Sequence, residues 1–239
     1  MLITGAARRI GAALARGFHA EGANVCIHFH RSAPEAEQLR DELNHARSGS
    51  ALLTSANLLD LNALPLLVEQ TISAFGKLDV LINNASTFYP TPLGKITAAN
   101  WDDLIGTNLR APLFLAQAAA DALRSSRGLI LNMIDIHAQR PLPQHPVYST
   151  AKAGLMMLTR SLARELAPEV RVNGIAPGPI LWPEGGLAPH LQEEIIDKTL
   201  LKRSGSPEDI VRTALFFAKD APYVTGQILA VDGGRSVGW

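Results

Sequence analysis

Tyr148 and Lys152 stand four residues apart in a run, Val147–Leu166, whose apolar spacing predicts an amphipathic helix, so both side chains share one face. A phenol with a reference pKa of about 10 exchanges protons poorly at neutral pH. An ammonium beside it stabilises the phenolate, lowers that pKa and makes the phenol a usable general acid. The same spacing is also what an exposed helix face presents, so the pair alone leaves both readings open. Asp135 follows the apolar run Leu129–Ile134, at a position where it could act on a ligand or simply bind loop N–H groups. Asn108 lies inside a long helical pattern, an unfavourable place for asparagine.

A second constellation lies near the start of the chain. Gly5 and Gly11 bracket the segment joining the first apolar run to the first amphipathic stretch. Glycine there permits a tight turn and close packing of the helix, whose N-terminal N–H groups suit a pyrophosphate. The second apolar run ends in His28-Phe29-His30-Arg31-Ser32. An enzyme using NAD would usually carry a carboxylate here for the ribose hydroxyls, whereas Arg31, flanked by His30 and Ser32 and joined by Arg8, suits the phosphate of NADP. A solvated Arg–Ser turn is the plainer alternative.

These residues need a scaffold, and the apolar pattern supplies one. Strands are predicted at Met1–Thr4, Asn24–Phe29, Ala51–Ala56, Val80–Asn83, Leu129–Ile134, Val170–Ile175 and Ile228–Val231, and helices at Ile10–Glu21, Glu35–Ala46, Leu61–Phe75, Trp101–Leu123, Val147–Leu166 and Glu208–Ala218. Strands of Val, Ile and Leu without strict alternation are buried on both faces, as a parallel sheet requires. The expected fold is α/β: a Rossmann-type doubly wound parallel sheet of about seven strands with helices on both faces. The Pro/Gly-rich stretch Ala176–Pro189 reads as an irregular functional loop. No repeat or linker divides the 239 residues, so one domain is expected.

Composition narrows the function. Hydrophobic residues make up 47% of the chain, enough for a sizeable core, and 22 basic residues balance 22 acidic ones, against a general nucleic-acid binder. Cys26, the single cysteine, rules out an intramolecular disulfide and leaves a Cys-based metal site without partners; no metal is expected. The apolar start is broken by Gly5, Arg8 and Arg9, and no apolar stretch reaches the ~20 residues that span a bilayer, so a cytoplasmic protein is expected.

With Gly5 to Gly11, Asn83-Asn84-Ala85, Asn108, Tyr148-x-x-x-Lys152 and Pro177-Gly178 in that order, the chain resembles the short-chain dehydrogenase/reductase family over its whole length. Three departures from the general pattern are Arg9 for a loop glycine, Ser86 after Asn84-Ala85 and Asp135 for the usual serine. All three are similar to the pteridine reductases, as are His28–Ser32 and Asn83–Leu93. Asn57, where the family often has Asp, is a further departure. The resemblance implies NADPH-dependent reduction of a pterin such as dihydrobiopterin, dihydromonapterin or dihydrofolate. It implies that Asp135 bonds Tyr148 and relays a proton, that Asn108 holds a water near Lys152, and that Phe88 stacks on the pterin.

The NADPH contacts expected are Gly5, Arg8, Arg9, Ile10, Gly11, His30, Arg31, Ser32, Asn57, Leu58, Asn84, Ala85, Ser86, Tyr148, Lys152, Pro177, Gly178 and Ile180. The substrate is expected against Arg9, Ser86, Phe88, Asp135, Tyr148, Leu181 and Trp182, with Tyr89 near the mouth. The resemblance further implies a homotetramer, with Trp101–Leu123 and Val147–Leu166 in contact and the tail Ser236–Trp239 near a neighbour's site. Reduction of a carbonyl compound, or a silent NADPH-binding regulator, are the competing readings.

Overall fold

A computed structural model of the chain describes residues 1–182 and 185–238. Its strands are β1 (Leu2–Ile3), β2 (Val25–Phe29), β3 (Ala51–Ser55), β4 (Val80–Asn83), β5 (Leu129–Met133), β6 (Arg171–Pro177) and β7 (Ile228–Val231). Between them run α1 (Arg9–Ala20), α2 (Ala33–Ala46), α3 (Ala63–Phe75), α4 (Ala98–Ile105), α5 (Ala111–Ser126), α6 (Pro146–Leu166), α7 (Pro189–Asp197) and α8 (Pro207–Lys219). The strands pair in parallel as one seven-stranded sheet, ordered β3-β2-β1-β4-β5-β6-β7. This is the expected Rossmann-type fold.

Alternate strand residues serve opposite layers. Ile3, Ile27 and Leu131 pack with apolar residues of α1, α2 and α8, while Leu2, Cys26 and Ile130 pack with those of α3, α5 and α6. Both faces are therefore apolar, which is why the strands read as continuous hydrophobic runs. Cys26 is wholly buried, and burial pushes its thiol pKa up to about 11, so it is an inert packing residue. The strand order reverses between β1 and β4, opening a crevice at their carboxyl ends, where open α/β sheets bind ligands. Among the described residues no helix is long and apolar enough to cross a membrane.

Several boundaries depart from the sequence pattern. The helix expected over Trp101–Leu123 begins at Ala98, because Thr97 and Asn100 form a reciprocal capping box, and it is interrupted by a π-helical turn at Gly106–Arg110. The stretch expected to be irregular from Ala176 is strand as far as Pro177, which pairs with Val231. Its far end, Pro189, opens α7, a helix without buried residues and hence without the apolar stripe that betrays a helix in sequence. Pro183 and Glu184 of that stretch, and Trp239 of the tail, lie outside the described residues.

His28 ties three segments together at the carboxyl edge of the sheet. Its Nε2 lies 3.1 Å from the Ala56 carbonyl, which can only accept, so Nε2 carries the proton and Nδ1 accepts from the Gly5 N–H at 3.1 Å. Burial lowers the His28 pKa to about 4, against the bond to Ala56. The unfolded chain thus binds this proton more tightly than the folded one. The stabilisation is present above about pH 6.5 and is lost as pH falls toward 4. Urea unfolding at pH 7 and 4.5 should show a loss of roughly 2–3 kcal/mol from this residue, absent from the slope of His28→Gln.

Candidate active site

The crevice is a cleft of about 800 Å³. Its lining includes Gly5, Arg8, Arg9, Ile10, Gly11, His30, Arg31, Ser32, Asn57, Leu58, Asn84, Ala85 and Ser86, all expected from sequence. Ala7, His28, Phe29, Leu59, Thr87, Asp103 and Thr107 also line it. The floor leaves no room for side chains. A Cβ on Gly11 would meet the Gly5 carbonyl oxygen at 2.3 Å and Asn84 Nδ2 at 2.7 Å, and Gly5 has φ +60°. Asn84 Nδ2 donates to the carbonyls of Thr4 and Gly5 at 2.9 and 3.0 Å, so this side chain braces the loop.

Arg8 precedes α1 in extended conformation without a side-chain cap bond, and Arg9, Ile10 and Gly11 of the first turn line the cleft. It pairs with Glu35 at 3.8 Å. Arg31 and His30 are exposed at the end of β2, and Ser32 heads α2. Asn57 turns its Oδ1 inward to accept from the Leu59 N–H at 3.1 Å. Such a cradle suits a phosphate-bearing ligand.

A buried polar chain fixes α6 against the sheet. Asn83 Nδ2 donates to Asn132 Oδ1 (2.8 Å), Asn132 Nδ2 to Thr159 Oγ1 (2.9 Å), and Thr159 Oγ1 to the Leu155 carbonyl (2.8 Å). Tyr148 and Lys152 consequently sit over the end of β5. Lys152 Nζ is buried and donates to the Met133 carbonyl at 2.9 Å, 5.6 Å from the centroid of the Tyr148 ring. Desolvation lowers its pKa to about 8, with the Asp135 charge pulling the other way.

Asp135 is shared between two partners: Oδ1 accepts from the His137 N–H and Oδ2 from Tyr148 Oη, each at 2.8 Å. The depression of the Tyr148 pKa expected from Lys152 is reversed. Burial, then the charge and hydrogen bond of Asp135, push it well above its ordinary value, with Ser86 opposing. One N–H of Lys152 donates to the Met133 carbonyl, while the carboxylate is hydrogen-bonded to the phenol itself.

Asn108, buried in the π-helical turn, is fully engaged. Its Oδ1 accepts from Ser86 Oγ at 2.6 Å, and its Nδ2 donates to the carbonyls of Thr87 (3.0 Å) and Leu104 (2.9 Å). Phe88 is half exposed and meets the Tyr148 ring edge-on, centroids 4.8 Å apart. His145, which no sequence signal singled out, stacks on Phe88 at 4.7 Å and 10°. Tyr89 turns aside to donate to Asp103 at 2.9 Å. Arg9 holds a left-handed backbone (φ +55°) and donates from Nη2 to the carbonyls of Leu181 (3.3 Å) and Trp182 (3.0 Å), bridging the cradle and the far wall. Pro177 ends β6, and Gly178 and Ile180 follow it; Gly178 lies so close to Asp232 that a Cβ would approach it to 2.6 Å.

Comparison with known proteins agrees with this geometry. Residues 5–236 match the family described as enoyl-(acyl carrier protein) reductase. Pteridine reductase 1 of Leishmania tarentolae is 37% identical, over 99% of this chain and 96% of that protein. A 3-oxoacyl-[acyl-carrier-protein] reductase of Staphylococcus aureus is 35% identical over 98% and 96%, and that of Staphylococcus epidermidis 34% over 98% and 97%. The chain belongs to the short-chain dehydrogenase/reductase family and is an oxidoreductase of that family.

The Asp135–Tyr148 bond carries a spectroscopic consequence. Replacing Asp135 by Asn removes the charge that raises the phenol, so Tyr148 should ionise at lower pH than in the wild type, as read by tyrosinate absorbance against Tyr148→Phe. An unchanged titration would refute the coupling.

Proposed function

We propose that this protein is an NADPH-dependent pteridine reductase, acting in the cytoplasm on a C=N bond of a dihydropterin. The observation that carries the reading is Asp135 bonded to Tyr148 Oη at 2.8 Å, beside the half-exposed ring of Phe88. Reduction of a ketone develops negative charge on oxygen, which a carboxylate one hydrogen bond away would oppose. Reduction of an imine proceeds best with its nitrogen protonated, and a carboxylate favours that cation. The carboxylate therefore discriminates between the two substrates by charge.

The cradle fits an NADP dinucleotide, judged by the contact a Cβ would make at Gly11 and by the guanidinium and hydroxyl donors at the end of β2. Arg31, Ser32, His30 and Arg8 would meet the extra phosphate, the Gly5–Gly11 loop the pyrophosphate, and Asn57 and Leu58 the adenine side. Ala85, Ser86, Pro177, Gly178, Ile180 and Lys152 would border the nicotinamide half. When bound, this cofactor supplies the hydride.

The chain's own residues then manage the proton. Tyr148, whose O–H donates to Asp135 in the free protein, turns that proton to the substrate nitrogen, and the Asp135 carboxylate supports the cationic imine. Lys152, charged below pH about 8, offsets the phenolate left behind. Asn108 holds Ser86 and Thr87 in place, Phe88 supplies a stacking face, and Arg9 with Ser86 meets the polar edge of the heterocycle. Leu181 and Trp182 close the mouth. Exposed Leu113 on α5 and Met157 on α6 support assembly as a homotetramer through those helices.

Absorbance of NADPH should fall with dihydrobiopterin or dihydrofolate and not with ketoacyl thioesters. The reverse outcome would favour the ketoacyl relatives' chemistry, and silence on every substrate a regulatory role. Tyr148→Phe should abolish turnover while leaving NADPH binding intact. Loss of Arg31 should raise the KM for NADPH on the order of 10- to 100-fold, the worth of a charged hydrogen bond, with NADH little changed.

A further inference from the structure

The wall beside Tyr148 is built from two loops that the fold joins deliberately. One carries Phe88 after β4; the other leads into α6 and ends in His145. Their backbones meet where the Thr91 N–H donates to the Gln144 carbonyl at 2.6 Å. Gln144 holds φ +63°, a left-handed conformation strained for a non-glycine residue. The next residue, His145, has its ring fixed by a bond between Nδ1 and the Pro143 carbonyl at 2.8 Å. A carbonyl only accepts, so Nδ1 carries the proton. The ring lies nearly parallel to Phe88, 10° from coplanar with centroids 4.7 Å apart, and Phe88 in turn meets Tyr148 edge-on.

A strained backbone, a locked ring and a cross-loop hydrogen bond are more than packing needs at a phenylalanine that stays 50% exposed. We infer that His145 is a substrate-positioning residue, which backs Phe88 so that its other face stands at a fixed distance from Tyr148 to receive a flat heterocycle. The inference rests on the pteridine reading for the identity of that heterocycle. It assigns His145 no proton transfer. A wobbling Phe88 would still pack, but it would present a poorer stacking face, so the effect belongs to substrate binding.

Steady-state kinetics with dihydrobiopterin and NADPH would test this on His145→Leu, His145→Phe, Phe88→Leu and the double variant Phe88→Leu/His145→Leu. Offset stacking is worth ~0.5–1.5 kcal/mol, so His145→Leu should raise the pterin KM about 2- to 12-fold. The kcat should stay within about twofold and the NADPH KM should not move. His145→Phe restores the stack and should restore KM. In the Phe88→Leu background, adding His145→Leu should cost nothing further, because His145 acts through that ring. Wild-type KM in His145→Leu, or full additivity in the double variant, would overturn the assignment.

Melting temperatures of the same four proteins need no substrate. Non-additive losses at the two positions support the stack even if the wild type reduces carbonyls and no pterin, in which case the pteridine reading alone fails. Additive losses overturn the stack whatever the enzyme reduces.

Discussion

A lysine ammonium taken wholly out of water is the constraint around which this site is arranged. Burial pulls the Lys152 pKa down to about 8, and the Met133 carbonyl and the Asp135 charge keep the cation tenable. The carbonyl is available only because β5 ends at Met133 beside α6, and α6 is held there by the Asn83–Asn132–Thr159 chain. Once Lys152 is placed, helical geometry places Tyr148 one turn away on the same face. Asp135, which neutralises the charge at longer range, then lies within hydrogen-bond distance of the phenol. The placement of Tyr148 against Asp135 and the tolerance of a buried charge have one cause.

That cause also explains which parts of the molecule were legible in the sequence. Continuous apolar strands and amphipathic helices report burial directly, so the sheet could be anticipated from its two-sided packing. The cradle was legible because glycine at positions 5 and 11 answers a steric demand that no other residue meets. Thr97 with Asn100 was a readable cap that apolar periodicity alone passed over, and α7 has no buried face to read. The π-helical turn is set by what Asn108 bonds, Ser86 and Thr87 some twenty residues earlier, and local pattern carries no trace of such a partner. His145 was invisible for the same reason: its meaning is the ring of Phe88, brought to it by the meeting of two loops.

The raised Tyr148 pKa shows how burial, and after it charge, overrides spacing. A lysine four residues on suggests an acidified phenol, yet hydrogen bonds fall off steeply with distance while desolvation acts on every buried group. Asp135 touches the hydroxyl and Lys152 faces the ring. The free protein thus keeps the phenol protonated, with its single O–H donated to Asp135.

Four local irregularities lie near the crevice, although Arg127 at the end of α5 and Lys202 after α7 also hold left-handed backbones. Arg9 and Gln144 hold left-handed backbones, Asn108 sits in a π-helical turn, and Lys152 is a buried cation. All four border the crevice or the wall beside it. A sequence that obeyed local rules at these four positions would place glycine at 9 and 144, a regular helix through 108 and an apolar residue at 152. Strain of this kind persists where surrounding structure over-determines it, and here the sheet and its polar chain do so. Arg9 belongs to the cradle, while Gln144 and His145 belong to the wall beside Tyr148.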